Sequence, residues 1–236
     1  MCASYGLGTG PFVPDHVFDL EPLDERENRL LLEAWMRDWG GKANTTRSQK
    51  RGVNLNPIIL PDADGGRALE LAWWWLHVGG VPAKFSAFNS RDDALATRWK
   101  GPFQHRALLP ATWYTEGGKR WQLPDGELFA IAAIVAPRRI ESPREQQASA
   151  AVEDRPTPAA PARMGLSYSM VTRHGVGEAA SVISSRGESR MPLVIPRELH
   201  DEWLDPSVPG DAELVARVQL ASEAISRDLT AGGIIR

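Results

Sequence analysis

The chain has 236 residues, a formal net charge of −3, and 42% hydrophobic against 24% charged residues, a composition that suits a globule with one sizeable core. Its single cysteine excludes an internal disulfide and a multi-cysteine zinc site, and points to a reducing compartment, the cytoplasm. The charge balance gives no global attraction to nucleic acid, so any such site has to be a local patch.

In chain order, Leu20 to Trp39 sets acidic residues ahead of Leu30, Leu31, Leu32, Ala34, Trp35 and Trp39 and stops at Gly40-Gly41, which predicts a helix. Lys42 to Asn56 is polar and carries Lys42, Arg47, Lys50 and Arg51, which predicts an exposed basic loop. Pro57 to Leu60 and Ala68 to Val78 are β-prone runs around a glycine-containing turn at Asp62 to Gly66, the pattern of a hairpin. Three more strands are expected at Ala107 to Leu109, Trp113 to Thr115 and Leu128 to Val135, with turns at Gly117-Gly118 and Pro124 to Gly126.

Ile140 to Arg163 is rich in Pro, Ala, Glu, Gln and Ser and reads as a disordered insert. After it, Ser167 to Thr172 and Leu193 to Ile195 read as strands, Arg197 to Trp203 as a short helix and Asp211 to Leu229 as a longer one. No apolar run approaches the ~20 residues that cross a bilayer, and no basic segment followed by an apolar one opens the chain. Short strands with few helices, and no regular alternation, predict one α+β domain over residues 1–236 with a mixed, largely antiparallel β core flanked by short helices.

Cys2 follows Met1 directly. If Met1 is removed, one residue carries an α-amine that titrates near ~8 and a thiol near ~8.5. The amine can condense with an aldehyde to an imine, and the thiol can close on that imine to give a thiazolidine ring. Alternatively, the thiol can attack an amide.

Three further segments stand in order behind Met1-Cys2: Phe88-Asn89-Ser90-Arg91, the run from Arg106 through Pro110-Ala111 to Glu116, and Glu188-Ser189-Arg190-Met191-Pro192. Together with Glu198 to Pro206, which contains Trp203-Leu204-Asp205-Pro206, they resemble the SOS response-associated peptidase family. The resemblance covers most of the chain outside Ile140 to Arg163. It implies that Cys2 is the nucleophile, Glu116 the acid/base group and Asn89 a positioning residue beside the reacting sugar, with Asn89, Arg91 and Arg190 facing DNA. It also implies the substrate class, abasic sites in single-stranded DNA, and a peptidase activity that releases Met1. A carboxylic acid is a sensible proton carrier for opening the sugar and passing through the imine. Asn89 can donate and accept without adding charge. No cofactor, membrane or obligate protein partner is expected, and the protein is expected to act as a monomer.

The chain departs from the family pattern at two places. Ala3-Ser4 stands where the family has Gly-Arg, and Glu188 stands where it has histidine two residues before the Arg-Met-Pro arginine. Glu188 could serve as an alternative catalytic acid if it were buried against Glu116, since two close carboxylates push one pKa upward; His174 is another candidate for the missing imidazole. Asn89 could equally cap a helix begun by Asp92 to Trp99. Trp73, Trp74 and Trp75 could be stacking platforms for bases, but strand alternation puts at least one side in the core. His16, His77, His105, His174 and His200 show no metal spacing, and no metal site is expected. Two other functions fit the same residues: an N-terminal nucleophile amidohydrolase acting on a small amide, and a DNA-binding module of this family that has lost catalysis.

Overall fold

A computed structural model describes residues 2, 4–8, 19–45, 55–140, 163–184 and 187–234. Met1, Ala3, His16, Arg47, Lys50, Arg51 and residues 141–162 fall outside the described residues, and with them the expectations about Met1 release and about most of the insert. Strand β1 is Ser4–Gly6, helix α1 is Arg26–Trp39, and β2, β3 and β4 are Lys42–Asn44, Leu55–Pro61 and Arg67–Trp74. Two short strands, β5 (His77–Val78) and β6 (Val81–Pro82), precede β7 (Asn89–Arg91), β8 (Arg106–Ala111), β9 (Trp113–Glu116) and β10 (Lys119–Gln122). The longest strands follow, β11 (Phe129–Ile140) and β12 (Arg163–His174), then β13 (Arg190–Pro192) and β14 (Val194–Ile195). Helices α2 (His200–Leu204) and α3 (Ala212–Asp228) lead into β15 (Thr230–Ile234).

The fold is a single α+β domain built on two main sheets, with β5 and β6 pairing as a small third one. In one, β12, β4, β3, β8 and β11 pair in sequence and β11 pairs back onto β12, so the ring of strands closes and leaves few open edges. In the other the order is β15-β10-β9-β1-β2. Pairing is mostly antiparallel, but β12 runs parallel to both β4 and β7. Tyr5 of β1 joins the two sheets, its hydroxyl 2.7 Å from that of Tyr168 in β12. Trp74 packs edge-on to Tyr5 and stacked on Tyr168, with ring centroids 5.0 and 6.1 Å away. Trp73 and Trp74, which point to opposite faces of β4, are both buried, and half-buried Trp75 donates its indole N–H to Ala83 O; both faces of the run are covered, where strand alternation required only one.

Several boundaries move, for physical reasons. Helix α1 begins at Arg26, not Leu20, because Leu20 and Leu23 enter the core from a turn closed by Leu23 N–H to Leu20 O. It ends as expected, with Gly40 left-handed at φ 62°. Lys42 to Asn44 is a strand rather than loop, since buried Ala43 pairs with Tyr5, and Leu55 and Asn56 already belong to β3. The β3–β4 hairpin turns on Asp62, whose Oδ1 accepts from the N–H groups of Asp64 and Gly66. Ile140 and Arg163 are strand residues paired with each other, so both ends assigned to the insert belong to the β11–β12 hairpin. Among the described residues no helix is long and apolar enough to cross a membrane.

Buried Arg106, in one of the segments that carry the family resemblance, is structural. It donates to the carbonyl oxygens of Phe103, Trp203, Asp205 and Val208 and so fixes α2 and the chain after it against β8. Helix α3 is capped by Asp211, which accepts from the N–H groups of Glu213 and Leu214.

Candidate active site around Cys2

Cys2 is placed by the strand that follows it. Antiparallel pairing sets Tyr5 opposite Tyr114 and Gly6 opposite Trp113, so stepping back along β1 toward Cys2 steps forward along β9 toward Glu116. Thr115 Oγ1 extends the match by donating to Ser4 O at 3.3 Å. The approach is close enough to demand glycine at position 6, where a Cβ would lie 2.1 Å from Gly41 O and 2.6 Å from the Trp113 ring.

The Cys2 side chain is wholly buried, and Glu116 is 6% exposed. The thiol donates a hydrogen bond to the Glu116 carboxylate. Burial first, then the negative charge of Glu116, push the thiol pKa well above its ordinary value, so at neutral pH the pair rests as a thiol facing a proton acceptor. Tyr114, two residues before Glu116 on the same face of β9, is also buried, and its hydroxyl makes no hydrogen bond. Burial, then the charges of Cys2 and Glu116, raise its pKa. The alternation of β9 already aligned Tyr114 with Glu116, but its nearness to Cys2 depends on the β1 register.

Asn89 stands at the start of β7, which lies beside Met170 to Thr172 of β12. Its Nδ2 donates to Cys2 O at 2.8 Å, while its Oδ1 is buried without a partner. The helix-cap reading of Asn89 is thereby overturned: the 3-10 turn Asp92–Ala94 follows Arg91, which makes no side-chain cap, and the Asn89 amide holds the Cys2 carbonyl instead. Asn89 and Arg91, two apart on one strand, share a face.

Cys2, Asn89 and Arg91 line a cavity of about 250 Å³ together with Arg98, Glu188 and Arg190. Every residue singled out by the resemblance except Glu116 borders it directly, and Glu116 reaches it through Cys2. Glu188 is not buried against Glu116. Its side chain is 41% exposed and paired with Arg91 at 3.2 Å and Arg190 at 3.3 Å, and the Arg91 charge foremost lowers its pKa. The condition for an alternative acid of raised pKa is therefore unmet. His174 is the register partner of Arg190 and is exposed.

Sequence reasoning missed two further groups. Arg98 lies over the rings of Phe85 and Trp99, 4.7 and 5.4 Å from their centroids, and adds a third guanidinium to the cavity wall. Buried Asp92 faces Arg190, its Oδ1 3.6 Å from Arg190 Nη1, and takes a hydrogen bond from Gln219 of α3 at 2.6 Å. Arg98 escaped notice because its place on the cavity wall depends on the tertiary fold, and the Asp92 contacts escaped because Arg190 and Gln219 arrive from distant elements. Among the described residues no group of His, Cys, Asp and Glu could hold a metal ion.

No family model and no curated protein matches the chain. Solved structures do. A protein from Bordetella bronchiseptica superposes over the whole of both chains with a TM-score of 0.60 at 15% identity. A phage-related protein from the same organism matches all of this chain and 95% of its own with a TM-score of 0.53 at 16% identity. The likeness is one of fold.

Proposed function

We propose that the protein captures abasic sites in single-stranded DNA as a covalent thiazolidine on Cys2, in the manner of the SOS response-associated peptidase family that its motifs resemble. The observation that carries this reading is the convergence of a buried thiol hydrogen-bonded to a carboxylate, an amide on the same residue's carbonyl, and three arginines around the adjoining cavity.

Hydrolysis of the Met1–Cys2 bond frees the α-amine. The amine adds to the aldehyde of the ring-opened sugar and water leaves, giving the imine. The thiol sulfur then adds to the imine carbon, its proton passes to Glu116, and the nitrogen takes up a proton as the ring closes. Asn89 holds the Cys2 carbonyl and so fixes the direction of the amine, while its free Oδ1 can accept from a sugar hydroxyl. Arg91, Arg98 and Arg190 supply phosphate contacts, which bind with little regard to sequence and weaken with salt. A reduced thiol is required throughout, in keeping with the cytoplasm. A cavity walled by arginines favours a polyanion over the small neutral substrate of an amidohydrolase.

The test is incubation with a single-stranded oligonucleotide containing one abasic site, followed by a denaturing gel and intact mass. A band stable to denaturation is expected, from protein that begins at Cys2. Active protein that retains Met1 would rule out the thiazolidine, because an acylated nitrogen cannot form the imine. Non-covalent binding with no adduct would support the module that has lost catalysis.

A further inference from the structure

The Glu188 carboxylate bridges two guanidiniums at the cavity wall. Its two oxygens lie 3.2 and 3.3 Å from Arg91 Nη1, and one of them lies 3.3 Å from Arg190 Nε. Arg190 is buried, with a side chain 7% exposed, and borders the cavity, yet its Nη1 and Nη2 donate no hydrogen bond. Arg91 also holds Asp93. An oxyanion spanning two guanidiniums is the arrangement in which arginines receive phosphate.

We propose that Glu188 is an internal anion occupying the phosphate-receiving position between Arg91 and Arg190, so that a ligand phosphate enters only by displacing it. The identity of the ligand rests on the abasic-DNA reading; the occupied position does not. Displacement needs only a side-chain rotation. The Glu188 side chain is partly exposed, and its backbone is held by a turn in which Ser184 N–H donates to Glu188 O and Gly187 N–H to Ser184 O, both at 2.9 Å, with Gly187 at φ 76°. The exchange favours phosphate over carboxylates. A carboxylate brings two acceptor oxygens and leaves the two terminal nitrogens of Arg190 without a hydrogen bond, Nη1 meeting only Asp92 Oδ1 at 3.6 Å, whereas a phosphate brings a further oxygen that can engage them. Glu188 thus sets a threshold: weak anions do not clear the site, and DNA held only by its backbone is held loosely until Cys2 reacts.

The experiment compares wild type with Glu188→Gln and Glu188→Ala in the full chain, using inorganic phosphate by calorimetry and an undamaged oligothymidine by fluorescence anisotropy over a salt series. Thermal melts verify that each variant is folded. Both variants should bind phosphate and oligothymidine about 3- to 10-fold more tightly. The log–log salt dependence of oligothymidine binding should steepen by up to ~0.7, the value for one more phosphate neutralised by the protein. Phosphate affinity unchanged or weakened in both variants would overturn the proposal, even if abasic DNA is crosslinked. Tighter phosphate binding with no oligothymidine binding and no adduct would uphold it and sink the abasic-DNA reading instead.

Discussion

Among the described residues two concavities can be compared, and the larger of the pair is the poorer candidate for chemistry. It encloses about 670 Å³ and is bordered by Asp19, Glu21, Arg67, Arg197, His200 and Asp201. Its two arginines are spent on aspartates: Arg67 pairs with Asp201 at 2.6 Å and Arg197 with Asp19 at 2.7 Å, and the Asp201 side chain is 92% exposed. Such pairs contribute at most about 1 kcal/mol. Burial lowers the pKa of His200, whose Nε2 meets Ile195 O, so its imidazole is neutral and tied to the frame. The cavity beside Cys2 has less than half that volume, but its walls meet at one nucleophile with a proton acceptor, a positioning amide and cationic groups around it. Convergence of complementary groups on one thiol, rather than size, makes it the stronger candidate.

The strongest way to break this comparison is Cys2→Ala. It should abolish the stable adduct with abasic DNA on a denaturing gel, while Asp201→Asn in the larger cavity leaves adduct yield unchanged. The reverse outcome would move the chemistry to the other concavity.

Glu116→Gln should slow adduct formation by ~10²-fold with oligonucleotide affinity nearly intact, as expected for loss of an acid/base group. Equal losses in rate and affinity, measured separately, would make Glu116 a structural residue. The same variant removes the charge that raises the Cys2 pKa, so iodoacetamide should alkylate Cys2 several-fold faster at pH ~8 than in wild type. Slower alkylation would mean that the carboxylate activates the thiol more than its charge restrains it.

A third effect sharpens the contrast through stability. The folded Cys2 pKa lies above its unfolded value of ~8.5, so folding favours the neutral thiol. That contribution is fully present below pH ~8.5 and is lost as pH rises toward the folded pKa. Tyr5, Tyr114 and Tyr168 are shifted in the same direction but add their own loss only above ~10. Between these limits the melting temperature of wild type should fall with pH, and Cys2→Ala should flatten the fall. Identical slopes would place the thiol in a wetter setting than its burial indicates.

The smallest expected change is the stability of Asp201→Asn. Loss of one exposed ion pair should cost less than about 1 kcal/mol in a urea melt.

The regular elements were legible in the sequence where period and punctuation agree: the Gly40 stop of α1, the Asp62 turn, and α3 behind the Asp211 cap. Motif order brought forward Cys2, Asn89, Arg91, Glu116, Glu188 and Arg190, and all but Glu116 border one cavity. The three-residue strands β7 and β13 escaped notice because each is defined by pairing with β12 and not by any pattern of its own. Misreading β7 led in turn to the helix-cap alternative for Asn89. The contacts of Asp92 with Arg190 and Gln219 are equally invisible in one dimension, since they join three elements distant in the chain. The ends of β11 and β12 were hidden by Pro137, Arg138 and Arg139 on one strand and Gly165 on the other, residues that strand propensity disfavours or leaves neutral.

The direct pairing of Ile140 with Arg163 has a practical side for protein engineering. Where two strands are already in register at the point where the chain leaves them, the length of what joins them is free to change without shifting any partner. From Arg163 to Thr172 the strand runs roughly 30 Å, so that junction lies far from the end of β12 that flanks Asn89 and Arg91. It is a natural place to replace residues 141–162 by a two-residue Asn-Gly connection, or to splice in a fluorescent or affinity module, while leaving the strand ends around Asn89 and Arg91 untouched.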